Sequence, residues 1–136
     1  MAEDNKNLFN KKITHGSDNP YYVETKKQLD SVGKGFCLAK WTQVTLQLQT
    51  GHNHSCHHPR THKINLKEIE RNPSALHNTQ YKKIRRKEML DGKRPAECDY
   101  CWNVEDNSDR FSDRVFKSGE TWSKPHFDEI VKSDWR

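Results

Sequence analysis

The sequence predicts a small α+β domain with a two-stranded antiparallel β-hairpin followed by helices. Three features predict it. Thr42, Val44, Leu46 and Leu48 alternate with Gln43, Thr45, Gln47 and Gln49, the period of two expected of a strand with one apolar face. A turn at Thr50-Gly51-His52-Asn53 follows, and His54-Ser55-Cys56-His57 returns as the partner strand. Further along, Thr79 caps a helix over Gln80 to Leu90, which Asp91-Gly92 stops. Tyr81, Ile84 and Leu90 are the residues of that helix expected to face inward.

A chain of 136 residues is sized for one domain. Only 31% of its residues are hydrophobic and 32% are charged, with a mean hydropathy of −1.19, so apolar burial is thin. Four Trp, four Tyr and five Phe offset part of the deficit, because large aromatics each remove roughly 150–250 Å² from water. A bound metal would supply the rest, since ligation energy becomes folding energy when the site exists only in the folded chain. The expected domain is therefore metal-cluster stabilised, and weakly folded without its metal.

Composition divides the chain into three stretches. Residues 1–34 read as a polar N-terminal arm with turn signals at Gly16-Ser17-Asp18-Asn19-Pro20 and Gly33-Lys34-Gly35, and a short helix over Glu24 to Leu29. Residues 35–105 read as the central domain; within it Asn65 caps a short helix, Leu66 to Arg71, stopped by Asn72-Pro73. Residues 106–136 read as a C-terminal extension with a helix over Pro125 to Val131, using Phe127, Ile130 and Val131.

The first twenty residues hold no apolar run of signal-peptide length, and no run anywhere approaches the ~20 residues that span a bilayer. The expectation is a cytoplasmic protein with no membrane partner. In a reducing compartment cysteines serve as metal ligands more readily than as disulfides. A net charge of +5 leaves an acidic protein, nucleic acid or plain solubility open. The basic run Lys82 to Lys87 is diluted by Glu88 and Asp91 and reads as a solvated helix face, so nucleic acid is not the expected partner.

The chemistry lies in four cysteines. Cys98-Asp99-Tyr100-Cys101 can turn two thiolates toward one centre, a half-site shared by zinc knuckles, iron–sulfur proteins and thiol redox enzymes. Cys37 and Cys56 are nineteen positions apart; a strand, a glycine turn and a returning strand would bring them together. Zinc ribbons generally use two Cys-x-x-Cys knuckles. Four soft thiolates suit zinc or an iron–sulfur cluster, and do not suit calcium or magnesium.

Cys-x13-Gly-x4-Cys, a helical gap and Cys-x-x-Cys together resemble the twitch domain, the short form of the SPASM domain found beside the barrel of radical SAM enzymes. The resemblance covers roughly Phe36 to Val104. The stretches CLAKWTQ, HSCHHPRTHKI, NPSALHN and CDYCW are similar to twitch-like regions of radical SAM proteins encoded by marine phages. The resemblance implies an auxiliary [4Fe–4S] cluster held by Cys37, Cys56, Cys98 and Cys101, with Gly51 at the hairpin turn. It implies electron transfer or an auxiliary-cluster role, with a radical SAM enzyme or redox protein as partner, in the host cytoplasm if phage-encoded. Two departures matter. No cysteine follows Cys101 to hold a second cluster, and the Cys-x3-Cys-x2-Cys motif that binds the SAM-cleaving cluster is absent. The chain is then either a free-standing twitch domain or the front part of a longer protein.

Around the proposed ligands, His54 and His57 are candidates to donate hydrogen bonds to sulfur. Trp41 and Trp102 are expected to pack as core and shield the centre as a by-product. No catalytic residue is expected: no βαβ context supports thioredoxin-like use of Cys98 and Cys101, and no nucleophile–base set stands out. The alternative is a four-cysteine zinc-stabilised interaction module that binds a host protein or nucleic acid.

Overall fold

The computed structural model describes residues 18–132, so Gly16 and Ser17 of the first turn signal lie outside them. The described residues form a mixed α+β domain with a three-stranded antiparallel sheet and seven α-helices. Helix α1 (Pro20–Asp30) starts where Asn19 accepts from the Tyr21 amide and Pro20 occupies the first turn, a position that needs no N–H. It is longer than the helix expected over Glu24 to Leu29.

A four-residue helix, α2 (Ala39–Thr42), follows Cys37 and leads into β1 (Thr45–Gln47). Strand β2 (His52–His54) returns in register Thr45↔His54, Leu46↔Asn53 and Gln47↔His52. Gly51 makes the turn with φ of 71°, a left-handed conformation that glycine adopts without a Cβ clash. The structure adds a third strand, β3 (His62–Lys63), which pairs with β2 through His52↔Lys63 and Asn53↔His62. Ile64 extends that pairing by donating to the Gly51 carbonyl at 2.8 Å. The two-stranded hairpin is thus corrected to three strands; β3 is two residues long and polar, so it carries no alternation.

The first strand is also shorter than its alternation suggested. Thr42 belongs to α2, while Val44, Leu46 and Leu48 are exposed, Leu48 at 66%. The sheet's buried positions are Asn53 and His54 on β2, and Asn53 Nδ2 donates to the Leu76 carbonyl at 2.9 Å. The pattern of two marked residues suited to extended backbone, not a core-facing surface.

Helix α3 (Leu66–Arg71) is capped by Asn65, which accepts from the Lys67 and Glu68 amides. Helix α4 (Gln80–Leu90) begins at the Thr79 cap and ends at Asp91-Gly92, with Gly92 at φ 80°. Of the residues expected inward, Leu90 packs against the core, but Tyr81 and Ile84 are exposed, whereas Lys82, Arg86 and Met89 are buried. Lys82 Nζ donates to the carbonyls of His54 and His77 at 3.4 and 3.0 Å, and Arg86 Nε donates to the Lys40 carbonyl at 3.0 Å. Two cations of α4 therefore pair with main-chain carbonyls at the end of β2, in α2 and after the segment Pro73–Leu76.

Helices α5 (Asp99–Asn107), α6 (Asp113–Ser118) and α7 (Phe127–Lys132) complete the chain. The core gathers Leu29 of α1, Phe36, Leu38, Met89 of α4, Val115 of α6, and Phe127 and Ile130 of α7. Residues from the stretches 1–34, 35–105 and 106–136 thus share one hydrophobic cluster. Close approach matters at Gly33: a Cβ there would meet Gly92 Cα at 2.7 Å, so the exits of α1 and α4 touch backbone to backbone.

Candidate metal centre

Each cysteine reaches the same cavity from a different part of the chain. Cys37 precedes α2, and Cys56 lies in the loop after β2. Cys98 ends a one-turn 3₁₀ segment (Ala96–Cys98), and Cys101 sits in the first turn of α5. All four are free thiols, and all four line one cavity. The ribbon and the Cys-x-x-Cys bracket, which the sequence places far apart, therefore face the same space.

Burial sets the state of the thiols. It pushes Cys98 up to about 12 and Cys101 up to about 11, and it also raises Cys56; Cys37 is a neighbour that adds to the shift in all three. With their pKa values raised, these groups are neutral thiols at neutral pH.

The surroundings supply hydrogen-bond donors. The His58 backbone N–H reaches Cys56 and the Arg114 backbone N–H reaches Cys101. Ser118 Oγ donates to Cys37 Sγ at 3.6 Å and accepts from the Leu38 amide at 3.0 Å. Lys40 Nζ donates to Cys98 Sγ at 3.3 Å and pairs with Glu97. Burial of Lys40 opposes its charge, but Cys98 and Glu97 outweigh burial and raise its pKa. Since Cys98 stays protonated without a metal, Glu97 is the partner that keeps Lys40 charged. Arg114 and Lys117 of α6 also line the cavity.

The other expected site residues divide. Trp102 lines the cavity, and its buried Nε1 has no hydrogen-bond partner. Trp41 packs on the Phe36 ring, with centroids 5.3 Å apart. His54 is buried, but its Nδ1 engages the Cys56 carbonyl, which shapes the loop. His57 is 58% exposed, and His58 is the histidine that lines the cavity. Helix α6 was not legible as part of the site: Asp113, Arg114 and Lys117 reach the cavity from a stretch whose sequence carries no ligand motif.

Among the described residues, the His, Cys, Asp and Glu side chains that place three ligand atoms within 4.8 Å of one another are His57, His58 and Asp113. No helix among the described residues is long and apolar enough to cross a membrane. No protein-family model matches the chain, and neither a curated protein nor a solved structure matches it.

Proposed function

We propose that the chain binds one iron–sulfur cluster, [4Fe–4S], through Cys37, Cys56, Cys98 and Cys101, and acts as an auxiliary-cluster or electron-transfer protein in radical SAM chemistry. The observation that carries the reading is the convergence of four thiols from four separate elements on one cavity. Four soft thiolates suit an iron–sulfur cluster or zinc, and the resemblance of the cysteine pattern to the twitch domain favours the cluster.

The donors fit the same reading. Backbone amides of His58 and Arg114, the Ser118 hydroxyl and the Lys40 ammonium all address sulfur. Such contacts, together with lining cations, stabilise negative charge on the centre and raise its potential. When bound, a cluster of this kind supplies reversible one-electron transfer. The chain's own residues hold it, exclude water and set the charge around it; with all four cysteines engaged, no coordination position is left for substrate. The resemblance of the cysteine pattern to the twitch domain points to a radical SAM enzyme or its redox partner, working in a reducing cytoplasm.

Anaerobic purification followed by iron, sulfide and zinc analysis tests the reading. It expects a brown protein with about four irons and four sulfides per chain that bleaches on reduction. A colourless protein with one zinc would replace it with the zinc-stabilised interaction module. In the loaded protein, Lys40→Met is expected to make the reduction potential more negative by on the order of a hundred millivolts, since a nearby unit charge is worth a few kcal/mol and its removal leaves Glu97 unpaired. A redox titration reads this directly; an unchanged potential would place the cluster away from Lys40.

A further inference from the structure

We propose a second metal site at the rim of the cysteine cavity, in which His57, His58 and Asp113 bind one divalent first-row transition ion. The three side chains place one ligand atom each within 4.8 Å of one another. Two imidazoles and a carboxylate are the donor set that suits zinc, iron(II), cobalt or nickel, and not calcium or magnesium, which take oxygen. Asp113 Oδ2 lies 2.5 Å from His58 Nε2 and 4.0 Å from His57 Nε2. Ligands at about 2.1 Å from a common ion stand roughly 3.0 Å apart at octahedral angles and 3.4 Å at tetrahedral ones. One separation must open and the other must close, each by less than about 1 Å, a side-chain adjustment.

The site is partly preorganised. The His58 ring is stacked on Tyr100, with centroids 4.0 Å apart and planes inclined by 12°, which fixes the ligand that is most buried of the three. His57 lies against His58 with ring centroids 4.0 Å apart. Asp113 opens α6, the helix whose Arg114 amide reaches Cys101. His57 and Asp113 are open to solvent, so an ion held by three protein ligands keeps positions for water or a small ligand. No cysteine takes part, but His58 and Asp113 also line the thiol cavity, so the site shares its wall through the Cys56–His58 loop and α6.

Equilibrium dialysis of the anaerobically purified protein, its cysteine centre intact, against cobalt(II) tests the proposal. Cobalt, iron and sulfide are counted together, and X-ray absorption at the cobalt edge identifies the bound atoms. The expected result is one cobalt per chain with only nitrogen and oxygen neighbours. His57→Ala and Asp113→Asn should each weaken cobalt retention about tenfold or more. His57→Ala should leave iron and sulfide unchanged, because His57 is exposed and does not line the cavity. Absence of retained cobalt, sulfur in its coordination sphere, or retention unaltered by His57→Ala would each overturn the site. A failure of the cluster reading shows instead in the iron and sulfide counts, whatever the cobalt does.

Discussion

Cys98→Ser is expected to reduce the iron bound per chain from about four to below one and to leave the domain poorly folded. Cys98 is half-buried, its surroundings push its thiol up to about 12, and Lys40 Nζ stands 3.3 Å from its sulfur. A serine hydroxyl is a harder and far less acidic donor, so the fourth corner of the centre is lost. The remaining chain must then hold together on a core of few apolar side chains. Structural metal sites contribute on the order of 10 kcal/mol, comparable with the whole stability of a domain, about 5–15 kcal/mol. Metal analysis and thermal unfolding read both effects. A variant with full iron and native melting would show that Cys98 is not a ligand.

The second large effect is expected at Arg114. Its side chain is 2% exposed and ties four parts of the fold together. Nε and Nη2 donate to the Glu105 carboxylate at 2.9 and 2.7 Å, Nη2 also to Asp30 at 2.8 Å, and Nη1 to the Phe36 carbonyl at 2.9 Å. Arg114→Met leaves the nearly buried Glu105 without its main cation and should cost about 3–5 kcal/mol. Because the Phe36 carbonyl neighbours Cys37, cluster loading should fall with it.

This network also fixes a pH dependence. Burial works against the charge on Glu105 and Asp30. Hydrogen bonds and charge from Arg114 dominate at Glu105, and Lys26 and Arg114 together at Asp30, so both carboxyls are held below their usual range. Their contribution is complete above the ordinary carboxylate values of about 4 and is lost as pH falls through the lowered folded values. Urea unfolding at pH 7 and on stepwise acidification below pH 5 should show the native protein losing stability. In Arg114→Met the Glu105 carboxyl is buried without its guanidinium, so acid should relieve rather than create a penalty. A variant with native midpoint at pH 7 would contradict the role assigned to Arg114.

Helix limits were legible where local chemistry sets them. Asn65 and Thr79 cap helices whose bounds match the sequence reading, and Gly51 and Gly92 adopt the positive φ their turns require. The convergence of Cys37 and Cys56 with Cys98 and Cys101 was legible as a spacing pattern, and the four thiols do line one cavity. What stayed hidden depends on partners distant in sequence. Lys82 and Arg86 turn inward because main-chain carbonyls of His54, His77 and Lys40 accept from them there, and nothing in the helix itself announces them. The exposed Val44, Leu46 and Leu48 show the converse, an alternation without a core behind it. Strand β3 is polar and α6 is short, so their placement follows only from tertiary packing.

Iron-edge anomalous diffraction from crystals grown without oxygen tests the central claim most directly. The account predicts a compact group of four iron peaks inside the cavity, with one of the four cysteine sulfurs on each. A lone zinc peak bound by the same sulfurs, or thiols that share no inorganic centre, would contradict it.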